Sequence, residues 1–279
     1  MIGNYLFFHS KQLEKPIFLD HYLAIDNYNE NQPVQISFYY ITNKQNPAQI
    51  SYVTIGDVQG YPIHYAGGLW DSEHLFSPHQ EFTHHYLISQ IVEFPSENIP
   101  FDDSQSWSFD TMEVMYTNGE TDTVPIGQVI ISQVISASNK DALRSYSSSG
   151  STNGDNTTSF KVIKTLEITD IYYPFADIIG DDYLAVKIGT SDNSLKDDNP
   201  NGPKWLEENE YNSFKMANGF FLQKDIFPFQ MKQGEGLRVY TQTNPSIKEV
   251  YEFPLSIQGR TVDGDEFIAK SYIGGGKCF

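Results

Sequence analysis

The chain has 279 residues, with 36 carboxylates against 18 lysines and arginines and a net charge of −18. A field of that sign repels phosphate backbones and anionic lipid, and no basic run interrupts it, so nucleic-acid binding is excluded. A hydrophobic content of 39% and an aromatic content of 14% exclude a disordered chain and suffice for two cores of about 110 to 140 residues each.

The N-terminus comes first. Ile2 to Phe8 form a short apolar run, followed by Lys11 and Lys15. No basic residue precedes the run and no small-residue cleavage site follows it, so the run is not expected to be a signal peptide. No stretch of about 18 apolar residues occurs anywhere, so nothing in the sequence is long enough to cross a bilayer as a helix. The run reads best as the exit end of a membrane helix, with Tyr5, Phe7 and Phe8 at the interface and His9, Ser10 and Lys11 emerging into water. Residues 1–16 are therefore expected to be the remnant of a membrane anchor.

Strand patterns follow. In "PVQISFYYITN", Val34, Ile36, Phe38 and Tyr40 alternate with more polar neighbours, the period of a half-buried strand. "AQISYVTIGD" and "FTHHYLISQIVEF" are two more β-rich runs. Asn118-Gly119 separates extended segments at 111–117 and 120–124, and this pair predicts a two-residue hairpin turn. A further strand is expected at 126–135.

Residues 136–159, "SASNKDALRSYSSSGSTNGDNTTS", offer almost nothing to bury and predict a flexible Ser/Asn/Gly-rich linker or a long loop within a single larger β-structure. Strand-like text resumes at 160–175, where Phe160, Val162, Leu166 and Ile168 share one parity. It continues at 181–191, 219–223, 227–231 and 236–243, and ends in two runs flanking Asp263-Gly264, a second hairpin candidate. One helix is predicted over 203–217, with Pro203 near its start. The expected fold is all-β: two antiparallel, Ig-like β-sandwich domains at 17–135 and 160–279, joined by the linker, with at most one or two short helices.

Two segments have the composition of metal sites. "DDNPNGPKWLEE" resembles the EF-hand calcium loop: Asp197, Asn199 and Asn201 place oxygens at alternate positions. Gly202 permits the sharp turn, Pro203 stands at the seventh position, and Glu208 can close the shell. Pro200 inside the loop, Lys204 in place of the usual apolar residue two past the glycine, and the missing entry helix favour a plain Asn-Pro-Asn-Gly turn instead. All seven histidines lie within the first 85 residues. His74, His79 and His84 form a second, weaker metal candidate, since convergent imidazoles are what such a site needs. "HQEFTHH" misses the spacing of a zinc protease motif.

Catalytic signatures are missing. There is no G-x-S-x-G, no phosphate-cradling glycine loop, and one cysteine, Cys278. Trp70, Trp107 and Trp205 are candidates for a sugar-stacking platform or for core anchors. The expectation is a non-enzymatic, extracytoplasmic β-protein anchored at a bacterial cell surface, binding a protein or glycan. The alternatives are a structural component, such as a phage tail or surface-layer part, and a calcium-assisted carbohydrate-binding or carbohydrate-active module.

Overall fold

The computed structural model describes residues 10–27, 32–63, 78–133, 142–151, 154–191, 202–207, 213–222, 226–246 and 248–275. The chain is all-β with short helical turns, and it divides into two compact units. Unit 1 takes the described residues of Met1–Ile135 and Lys248–Val250; unit 2 takes those of Ser136–Ile247 and Tyr251–Gly275.

Unit 1 is built from β1 (Ile17–Phe18), β2 (His21–Asn27), β3 (Val34–Asn43), β4 (Ile50–Ile55), β5 (Val58–Pro62), β6 (Gln80–Glu81), β7 (His85–Phe94), β8 (Ser106–Tyr116) and β9 (Thr121–Gln133). Neighbours run β1-β3-β7-β5-β4-β8-β9-β2, and β6 pairs with β7. The alternation in β3 sends Val34, Ile36, Phe38 and Tyr40 inward. There they meet Val92 and Phe94 of β7, Val53 of β4, Val114 of β8, and Ile126, Val129 and Ile131 of β9.

One short strand turns the corner. β5 pairs with β4 through Val58 and Gly60 and with β7 through Tyr61 and Pro62, as strands do where a sheet folds over onto its own core. Gly60 sits at that switch because a Cβ there would lie 2.5 Å from the Phe94 ring and 2.7 Å from Val92. Not every pairing is antiparallel. β2 runs parallel to β9, with His21 opposite Gly127. Gly127 has φ +81°, and a Cβ on it would meet the His21 main chain at 2.5 Å.

Unit 2 contains β10 (Leu143–Gly150), β11 (Asp155–Val162), β12 (Leu166–Tyr172), α1 (Ala176–Tyr183), β13 (Leu184–Thr190), α2 (Lys204–Glu207), α3 (Ser213–Met216), β14 (Phe220–Phe221), β15 (Phe229–Met231), β16 (Gly236–Thr243), β17 (Val250–Thr261) and β18 (Glu266–Gly275). One sheet has the order β10-β11-β16-β13-β14; in the other, β12 lies between β15 and β17, and β18 pairs with β17. Phe160, Val162, Ile188, Leu237 and Val239 of the first sheet are buried, as are Leu166, Ile168, Phe253, Leu255, Ile257 and Phe267 of the second. A polar link crosses between the sheets: Ser271 Oγ of β18 donates to Thr158 Oγ1 of β11 at 2.8 Å, with both residues buried.

Several expectations are corrected here. Within 136–159, read as a flexible linker, residues 143–150 and 155–159 belong to β10 and β11. β10 is the edge of its sheet and buries only Leu143, so main-chain bonds to β11 hold it and no hydrophobic alternation announces it. The run 160–175 is not one strand. Phe160 and Val162 end β11 in one sheet while Leu166 and Ile168 open β12 in the other, and all four are buried. Of the helix expected over 203–217, the described residues form two four-residue turns, α2 and α3, and residues 208–212 lie outside the described residues; α1, which breaks at Gly180, was not expected.

Both predicted hairpin turns form, with three-residue loops rather than two. Tyr116 N–H donates to the Glu120 carbonyl and Gly119 N–H to the Tyr116 carbonyl, each at 2.9 Å. Gly119 has φ +86° and Gly264 has φ +91°. A turn followed by a left-handed glycine is the usual three-residue solution, and glycine adopts it without steric cost.

Candidate functional site

Of the calcium-loop residues, Asp197, Asn199, Asn201 and Glu208 lie outside the described residues; Gly202 and Pro203 lie within them. Gly202 is not in the left-handed region, and a Cβ there would stand 2.3 Å from the Phe221 ring. The glycine permits this close approach between chain and ring.

His74 also lies outside the described residues. His79 and His84 both belong to the β6–β7 hairpin region but have different neighbours. The His79 ring meets Tyr39 edge-on at 5.3 Å, and the His84 ring faces His85 at 6.4 Å. Among the described residues no group of three His, Cys, Asp or Glu side chains converges in a way that could hold a metal ion.

The three tryptophans form no common platform among the described residues. Trp107 is a core residue, 7% exposed, packed against Phe94 and Phe109. Trp205 packs against the cluster of Ala185, Leu206 and Phe214. Trp70 lies outside the described residues.

One surface was not read from the sequence, and the strand register builds it. On the five-stranded sheet of unit 2, Leu237, Val239 and Thr241 of β16 point into the core, so Arg238 and Tyr240 point outward. Tyr240 lies opposite Lys187 of β13, and α2 and α3 cover this half of the outer face. Beneath that cover Lys187 is buried. Its amine donates to the Phe214 carbonyl at 3.3 Å and lies over the rings of Phe214 and Phe221.

The other half of the face is bare. Arg144 of β10 stands opposite Lys161 of β11, and Ser147 stands opposite Ser159, which in turn faces Arg238 of β16. Arg144, Lys161 and Arg238 are all exposed. The pairing of β10 with β11 slips between Ser145 and Ser147, so Tyr146 is the extra residue of a bulge. It is 62% exposed. Bulges re-aim side chains, and this one brings the Tyr146 hydroxyl within hydrogen-bonding reach of the Arg238 guanidinium, as is Tyr240 from the other side. Both hydroxyls hold the Arg238 pKa above its ordinary value, Tyr240 more strongly. The arrangement offers fixed cationic donors beside an exposed aromatic ring and a row of hydroxyls. That is chemistry for holding an anionic or hydroxylated ligand.

The sequence carried only a trace of this surface. Fifteen of the 18 basic residues lie beyond residue 135, while residues 1–135 hold Lys11, Lys15 and Lys44 against 16 carboxylates. Arg144, Lys161 and Arg238 are far apart in the chain, and only the register of three strands unites them.

No family model matches the chain, and no curated protein matches it in sequence. Similar solved structures include the YadV chaperone, at a TM-score of 0.24 and 7% identity over 92% of this chain and 98% of that one. The fibronectin(III)-like modules of CbhA from Clostridium thermocellum give 0.22 and 8%, over 94% and 95%. The collagen-binding domain of the surface protein RspB from Erysipelothrix rhusiopathiae gives 0.21 and 9%, over 94% and 96%. At such scores the likeness carries no inference about this chain.

Proposed function

We propose that the chain is a non-enzymatic binding protein of two β-sandwich domains, held at a bacterial cell surface by its N-terminal segment. The observation that carries the binding role is the bare half of the β10–β11–β16 face. Three exposed cations and an exposed tyrosine stand together there on regular strands, in a chain whose carboxylates outnumber its cations two to one. A rigid sheet that presents such groups is suited to recognition. The sequence adds the absence of any nucleophile, phosphate-loop or zinc-protease motif, and the apolar run at 2–8 supports an anchor.

Two measurements test this reading. In cells of the source organism, protease treatment of intact cells should remove the protein, and it should sediment with membranes. Recovery in the cytosol, protected from protease, refutes the location. The purified chain should bind at least one ligand on a combined panel of glycans and extracellular-matrix proteins without altering it. No binding anywhere on the panel, or chemical turnover of a bound ligand, refutes the role.

A further inference from the structure

Building on the reading of the chain as a surface binding protein, we propose that the bare half of the β10–β11–β16 face recognises an anionic polysaccharide, one that carries sulfate or uronate groups. Arg144 and Lys161 are direct cross-strand partners, and Arg238 lies diagonally across from Lys161. Three adjacent strands about 4.8 Å apart put all three charges within a patch roughly 10 Å wide.

None of the three is consumed by an ion pair. The salt bridges among the described residues use Lys15, Lys44, Lys164 and Arg260. Among the described residues two acids stand near the patch, and both are engaged elsewhere. The Glu235 carboxylate accepts the Lys232 main-chain N–H at 2.7 Å. Asp155, at the far end of β11, accepts a hydrogen bond from Ser151 Oγ. In so acidic a chain, a cluster of cations without carboxylate partners is set for an anion from outside.

The neighbouring side chains decide which class of anion. Guanidinium groups present forked donors that match sulfate and carboxylate oxygens. Tyr146 offers an apolar ring face on which a sugar can stack. Ser147 and Ser149, both exposed, and the half-buried Thr157 lie on the same outward positions of the register and supply hydroxyls that donate to and accept from sugar hydroxyls. A protein partner needs a desolvated apolar centre, and the outward positions of β10, β11 and β16 hold no Leu, Ile, Val or Met.

The test uses the whole purified chain and immobilised heparin, dextran sulfate, neutral dextran, poly-glutamate and an oligothymidylate, at low and at physiological ionic strength. Heparin and dextran sulfate should bind, and neutral dextran should not. Affinity should fall about tenfold or more as salt rises, since exposed charges are screened within about 8 Å at physiological ionic strength. The R144A/K161A/R238A variant should lose roughly tenfold or more, and Y146A about threefold for the glycans alone, because stacking acts on sugar and not on polyglutamate. A circular dichroism melt matching that of the unaltered chain shows that these exposed substitutions leave the fold intact.

Three results overturn the proposal: no binding to either sulfated glycan, binding that the triple variant retains, or poly-glutamate or oligothymidylate binding as tightly as heparin. If any of these occurs while the chain still binds another panel ligand, the ligand class or the face is wrong and the binding role stands. If nothing binds at all, both fall.

Discussion

His21 should make the stability of unit 1 fall steeply with acid. The ring is fully buried in β2, beside Phe38 and Tyr39. Its Nε2 accepts the Tyr39 main-chain N–H at 2.9 Å, so the neutral imidazole carries its proton on Nδ1. That atom makes no hydrogen bond of good geometry. Burial pushes the pKa down to about 4 from 6.5, and the main chain at Ile126 and Leu19 offsets this only in part.

A difference of about 2.5 pH units corresponds to roughly 3.4 kcal/mol at about 1.36 kcal/mol per unit. Because the folded-state pKa is the lower one, the unfolded chain binds the proton first. This contribution is fully present above pH 6.5, is lost as pH falls from 6.5 toward 4, and changes no further below that. Asp102, whose carboxylate Ser104 and Ser106 hold below its ordinary 3.8, acts only at still lower pH.

Urea unfolding of the unaltered chain and of His21→Gln, followed from pH 7.5 to 4.5, isolates the effect. The glutamine variant should be the less stable at pH 7.5, and the gap should shrink by about 2.5 kcal/mol at pH 4.5, because glutamine does not titrate. The general acid response of so charged a chain cancels in the difference. Should the variant not fold, NMR titration of the His21 imidazole in the unaltered chain reads the same quantity. Parallel stability curves, or an imidazole that titrates near 6.5 in the folded state, would refute the reasoning.

Gly60→Ala should cost about 1–3 kcal/mol in urea unfolding, since the new methyl would meet the Phe94 ring at 2.5 Å in a packed core. A neutral result there would mean that the β5 corner relaxes freely. Thr158→Val should cost about 1–3 kcal/mol by leaving the buried Ser271 hydroxyl without its 2.8 Å partner. Pairing it with Ser271→Ala should cost clearly less than the two single changes added together. Additive losses would show that the two sheets of unit 2 are not coupled through this bond.

The strands that bury one face were legible because period-two alternation is a local consequence of the pleat. β3 shows this, with the same inward set in the sequence and in the structure. The Asn118-Gly119 and Asp263-Gly264 turns were legible because only glycine tolerates the left-handed backbone without strain. Only the loop length differed, since the number of residues in a turn depends on how its two strands pair.

β10 was not legible. Its hydrogen bonds belong to the main chain, and an edge strand that buries one side chain leaves no trace in residue pattern. Trp107 was ambiguous for a related reason, since an aromatic beside a turn can face inward or outward and only packing decides.

By itself, then, the sequence determined the all-β class, the two glycine turns, the acidic field and the concentration of basic residues beyond residue 135, all properties of local pattern or composition. Tertiary structure alone decided the corner at Gly60, the parallel seam between His21 and Gly127, and the union of Arg144, Tyr146, Lys161 and Arg238. Each of these depends on which strand lies beside which and in what register. A shift of one residue sends every side chain to the other face, and contacts far apart in the chain set that register.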